Sequence, residues 1–90
     1  MNVEDILSSK VRIKIVKILA QVGGLNASEI ARRLEVDYNT VHNHLKALED
    51  ESILQHKTFG RIRLYRLNEH SVKAKALQTF IDAWKDADKQ

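Results

Sequence analysis

Between Tyr38 and Leu48 the chain concentrates side chains whose hydrogen-bonding ends could read a nucleic acid: Tyr38, Asn39, Thr40, His42, Asn43 and Lys46. At the helical step of about 100° per residue, Asn39, His42, Asn43 and Lys46 share one face, and Val41, Leu45 and Leu48 share the opposite one. Amide, imidazole and ammonium groups can match base edges and phosphates, so the polar face has the chemistry for a DNA major groove. Any surface helix has a polar face, however, and this one needs its context to mean more. A second set of groups follows. From Ser52 to Leu67 the charged residues are Lys57, Arg61, Arg63 and Arg66 with no acid among them, directly after Glu49, Asp50 and Glu51. Such a local excess of cations suits a polyanion. Another basic run, Lys10, Arg12, Lys14 and Lys17, reads as the solvated face of a helix.

Other chemistries find little support. There is no cysteine, so neither a disulfide framework nor a thiolate metal site can form. His42 and His44 stand two apart, about 200° around a helix, and cannot grip one ion from it. His44 flanks the apolar stripe beside Leu48 and reads as a structural histidine with a partner, whereas His56 and His70 suggest no role. No nucleophile elbow and no phosphate-cradling glycine loop occurs. The sequence therefore predicts no enzyme, no metal, no cofactor and no obvious small-molecule ligand.

The elements that must hold these residues fit one domain over residues 1–90, and a chain of this size buries a modest fraction of its surface. Without disulfides or metal, a partner subunit is the expected support. No basic region followed by an apolar signal segment opens the chain, and no apolar run approaches the roughly 20 residues of a membrane span. These readings predict a cytoplasmic protein without a membrane partner. The fifteen basic and twelve acidic residues leave +3 overall, which hints at an anionic partner and no more.

Val3 to Leu7 predicts a short first turn, and Lys10 to Val22 a helix with Val11, Ile15, Ile18, Leu19 and Val22 inward, ended by Gly23 and Gly24. Asn26 offers an N-cap, with Glu29 placed to return a bond to its amide as in a capping box. This second helix turns Ile30 and Leu34 inward and Arg32 and Arg33 outward, and stops near Glu35. Asp37 caps a third helix, from Tyr38 to about Asp50. Ile53 to Thr58 and Ile62 to Leu67 are β-favouring runs joined through Phe59, Gly60 and Arg61, which predicts a hairpin. Arg61, Arg63 and Tyr65 take one face of its second strand, Ile62 and Leu64 the other. Arg61 and Arg63 lie beside the turn, where a hairpin tip reaches phosphates, whereas Arg66 lies nearer the core and could form a structural ion pair. From Ser71 onward, Val72, Ala76, Leu77, Phe80, Ile81, Ala83, Trp84 and Ala87 form an apolar arc about half the helix circumference wide. One flank can pack on the domain; the other predicts a second subunit, with Val3, Ile6 and Leu7 joining.

This order resembles the winged helix-turn-helix family, especially the ArsR-like small bacterial and archaeal regulators. The resemblance rests on residues 12–19, Arg-Ile-Lys-Ile-Val-Lys-Ile-Leu; 28–34, Ser-Glu-Ile-Ala-Arg-Arg-Leu; 40–48, Thr-Val-His-Asn-His-Leu-Lys-Ala-Leu; and 60–67, Gly-Arg-Ile-Arg-Leu-Tyr-Arg-Leu. It covers about two thirds of the chain. The fold implied is mainly α with a small antiparallel β hairpin: a winged helix-turn-helix core over about 10–67 and an additional C-terminal dimerisation helix over 71–88. The resemblance implies that helix 38–50 enters the major groove, that the hairpin of 53–67 lies along the backbone or minor groove through Lys57, Arg61 and Arg63, and that the first and last helices dimerise through Ile6, Leu7, Leu77, Phe80, Ile81 and Trp84. The expected function is a sequence-specific regulator of transcription that binds double-stranded DNA as a homodimer. An architectural protein that coats DNA without sequence preference, or a winged helix serving a protein partner, are the alternatives. Two positions depart from the family pattern, Glu35 and Ser52, where glycine is common.

Overall fold

Seven elements succeed one another in the computed structural model, which describes residues 1–90: α1 (Val3–Leu7), α2 (Lys10–Val22), α3 (Ala27–Leu34), α4 (Tyr38–Asp50), β1 (Leu54–Phe59), β2 (Ile62–Leu67) and α5 (Val72–Asp88). The four longer helices each begin where a short polar side chain accepts from an amide that has no partner within the helix. Ser9 Oγ takes the Arg12 amide at 3.2 Å, Asn26 Oδ1 the Glu29 amide at 2.8 Å, Asp37 Oδ2 the Thr40 amide at 3.1 Å, and Ser71 Oγ the Ala74 amide at 3.2 Å. The capping box expected at Asn26 is only half formed. The Glu29 carboxylate turns away from the Asn26 amide to Arg32 and Arg33, whose guanidinium groups are stronger donors.

Helix ends are set by left-handed residues. Glu35 (φ 56°) and Ser52 (φ 60°) both occupy the region in which a side chain is strained. Each closes a Schellman motif. After α3, Val36 N–H donates to the Ala31 carbonyl and Glu35 N–H to that of Arg32; after α4, Ile53 N–H donates to Leu48 and Ser52 N–H to Glu49. The fold thus holds at both positions a geometry that favours glycine, and accepts the strain.

The core lies where α2, α3 and α4 meet the base of the hairpin. Ile15, Val16, Ile30, Val41, Leu45, Leu48, Ile53 and Leu54 are closed to water, and no buried residue is polar or charged. On α2 the buried stripe is Ile15, Val16 and Leu19, so the sequence expectation is shifted: Val11 and Ile18 are half-buried and Val22 is exposed. The strands pair antiparallel from Leu54 opposite Leu67 to Phe59 opposite Ile62, so Phe59 is the last rung and Gly60-Arg61 alone make the turn. Positive φ at Gly60 but not at Arg61 fits a type II′ hairpin. Leu25, between α2 and α3, adds a third short rung: its N–H donates to the Tyr65 carbonyl and its carbonyl accepts from the Tyr65 N–H, at 3.1 and 2.9 Å.

Helix α5 packs on α2 through Ala74, Leu77 and Ile81, a single stripe. The apolar arc expected along this helix therefore divides. Leu77 and Ile81, together with Ile6 of α1, all expected at a subunit interface, are buried within the chain's own core. Leu7 and Phe80 remain 50% exposed and Trp84 63%. No helix is long and apolar enough to cross a membrane.

Candidate nucleic-acid interface

Along α4, Tyr38, Asn39, Thr40, Asn43 and Lys46 are exposed and His42 is half-buried, while Val41, Leu45 and Leu48 anchor the opposite face. The stripe fixes the rotation of the helix, and the rotation presents the polar set together. Three members are oriented by neighbours on the helix or its cap. The Tyr38 and His42 rings stack with centroids 6.0 Å apart, and the Thr40 hydroxyl lies 3.4 Å from Asp37 Oδ2, its helix cap.

On the hairpin, Lys57, Arg61 and Arg63 are exposed. Arg63 shares a face with Tyr65 and His56, because paired residues point the same way. Tyr65 is buried, and its hydroxyl, with Glu49 further off, favours the charged form of Arg63. Arg66 is half-buried; its partner is an amide and no carboxylate, since Gln55 Oε1, with its amide turned to face it, accepts from Arg66 Nε at 3.0 Å and Nη2 at 3.2 Å. Phe59 and Ile62 face each other at the tip, 57% and 50% exposed.

A groove of about 420 Å³ joins the two sets, with Tyr38 and His42 of α4, Arg61 and Arg63 of the hairpin, and Ser28 of α3 along its walls. Asn39, Thr40, Asn43, Lys46 and Lys57 lie outside it. The contribution of α3 was missed in the sequence, although Ser28, two residues past the Asn26 cap, is an exposed polar group in a first turn. Ala27 and Ile62 add apolar surface, but the exposed lining is mainly polar and carries two cations, which suits an anionic strand better than an apolar ligand.

Behind the polar face, two long-range contacts hold α4. His44 Nδ1 lies 3.0 Å from Arg12 Nε. Arginine only donates, so Nδ1 accepts and the imidazole is neutral with its proton on Nε2. Burial, and then the Arg12 charge, hold this imidazole below the ordinary histidine value. Arg12 also donates to the Asp5 carbonyl of α1 at 3.2 Å. Arg12 thus leaves the solvated face expected for it, which Lys10, Lys14 and Lys17 alone occupy. At the other end of α4, Glu49 meets His56 Nδ1 of β1, and the His56 ring lies 5.5 Å from that of Tyr65. This contact gives His56 a place the sequence left open: it links the hairpin to the helix.

A family model described as a helix-turn-helix domain matches residues 7–56. This chain belongs to the helix-turn-helix domain family. Its hairpin makes it the winged form, a fold that solved neighbours share. One is the AntR antimony-specific transcriptional repressor, 26% identical, with a TM-score of 0.74 over 96% of this chain and 77% of that one. Another is the homodimeric winged helix-turn-helix DNA-binding domain Mb0332 of Mycobacterium bovis, a possible ArsR-family regulator, 22% identical, with a TM-score of 0.73 over 91% of this chain and 73% of that one. Among curated proteins, the HTH-type transcriptional regulator B-115 of Sulfolobus spindle-shape virus 1 is 27% identical over 85 residues, 94% of this chain and 74% of that protein.

Proposed function

We propose that this helix-turn-helix protein is a sequence-specific transcription regulator that binds double-stranded DNA as a homodimer in the cytoplasm. The observation that carries the reading is the groove in which the start of α4 and the cations of the wing converge on one surface. In this reading Asn39, His42 and Asn43 discriminate bases, Tyr38, Thr40 and Lys46 fix register on the backbone, and Lys57, Arg61 and Arg63 supply counterion-releasing, salt-sensitive attraction. The homodimeric M. bovis neighbour supports pairing of two copies, and the exposed Leu7, Phe80 and Trp84 offer the apolar surface for it. Twofold symmetry then presents two α4 helices to half-sites about 34 to 36 Å apart. The antimony specificity of one neighbour does not transfer, because soft ions select thiolates and this chain has no cysteine. No catalytic step is assigned.

The test is binding of the purified protein to a genomic fragment library and to random duplex across salt concentrations, with bound fragments sequenced. Enrichment of one roughly palindromic motif is expected. Salt-sensitive binding without enrichment would make the protein an architectural one, and absence of binding would turn the surface over to a protein partner.

A further inference from the structure

Of fifteen lysine and arginine side chains, only Arg32 and Arg33 are in an ion pair with a carboxylate, and both share the same one, Glu29. The Glu29 carboxylate accepts from Arg32 Nε at 3.1 Å and from Arg32 Nη2 on its other oxygen, and from Arg33 Nε at 2.8 Å. That two-pronged arrangement is the one a guanidinium uses on a phosphate. Arg32 sits one helical turn after Ser28, which lines the groove between α4 and the wing, and its side chain is 71% exposed. Arg33 turns the other way, towards Lys14 and Lys17 of α2. Exposed ion pairs contribute little to stability, so helix support alone does not account for one carboxylate that engages two arginines beside a surface built for an anion.

We propose that Glu29 stands in for a DNA phosphate: it occupies the guanidinium donors of Arg32 and Arg33 and so limits sequence-independent affinity for polyanions. The wing cations stay free of carboxylates and attract; the α3 cations are held back, which leaves the base-reading face of α4 a larger share of the binding free energy. The two arginines hold the Glu29 carboxyl at about 2, so the clamp is charged throughout the physiological range.

The experiment compares Glu29→Gln with wild type, since glutamine keeps the backbone amide that Asn26 caps. Its DNA arm rests on the regulator reading; its heparin arm does not. On a heparin column Glu29→Gln should elute at higher salt. On random duplex, the plot of log K against log salt should steepen by about 0.9 for the release of Arg32, the arginine one turn from the groove, which amounts to roughly eightfold tighter binding at 0.1 M relative to 1 M salt. Motif and random duplex should gain alike, because a phosphate contact carries no sequence information. Glu35→Gln removes an equal charge from a carboxylate that holds no arginine, and should do much less. Unchanged heparin elution of Glu29→Gln, or an equal gain from Glu35→Gln, overturns the proposal. Should wild type fail to bind duplex, the regulator reading falls and heparin elution still decides the clamp. If Glu29→Gln does not fold, Glu29→Asp, which keeps the charge but shortens the reach, is read in its place with a smaller gain expected.

Discussion

Asn43 and Arg63 are both exposed and polar, yet they answer to different physics. An asparagine amide can pair with a base edge, so Asn43→Ala should weaken the cognate site by about 1 to 3 kcal/mol and spare random duplex; equal loss on both would remove its reading role. A wing guanidinium meets phosphate, so Arg63→Ala should weaken binding to all duplexes and lower the salt slope by about 1, measured by titration across salt. His44 answers to protons. Its folded-state value lies below the ordinary 6.5, so the unfolded chain binds the proton more readily. The stability this group contributes is complete above about pH 6.5 and is lost as pH falls through the folded value. Urea midpoints measured from pH 7.5 down to 5 should decline in wild type and decline less steeply in His44→Gln. Residue types on α4 were legible in the sequence because a helical period sorts them. Partners 32 and 7 positions apart, Arg12 with His44 and Glu49 with His56, were not, because only tertiary packing brings them together.

At the level of elements, the helix starts at Ala27 and Tyr38 could be read from Asn26 and Asp37, since a cap is a local bond with a local signature. The wing tip was misread by one residue: Phe59 looked like part of the turn, but a two-residue loop with glycine first matches strand twist, and Phe59 pairs with Ile62. Glu35 and Ser52 show the reverse case, positions where the residue type disfavours left-handed geometry and the backbone adopts it regardless. Two Schellman hydrogen bonds at each end hold it there. Ser52→Gly should therefore stabilise the protein by up to about 1 kcal/mol, and Ser52→Val, β-branched in the same conformation, should destabilise it by about 1 to 2 kcal/mol, both read from thermal or urea unfolding.

Across the whole molecule, the elongated shape of 42 × 26 × 22 Å has α5 running past the core, with every residue from 82 to 90 exposed. The sequence showed an arc too wide for one neighbour but could not divide it. In so small a chain the core takes Ile6, Leu77 and Ile81 for itself and leaves Phe80 and Trp84, whose rings lie 6.0 Å apart, at the surface. Carboxylates placed there should separate subunits without unfolding them. The double variant Phe80→Glu, Trp84→Glu is expected to elute as a folded monomer with light-scattering detection, to keep affinity for one half-site and to lose the preference for two. A variant that remains dimeric would put the pairing surface elsewhere.

The short rung between Leu25 and Tyr65 makes the wing a lever fixed along its inner half. Tyr65 pairs with His56, the third of six rungs, and beyond it Lys57, Thr58 and Phe59 are exposed, so the packing that restrains the strands is lost toward Gly60. What the wing must surrender on meeting a rigid partner is then the entropy of a few terminal rungs, while the root keeps the same position before and after contact.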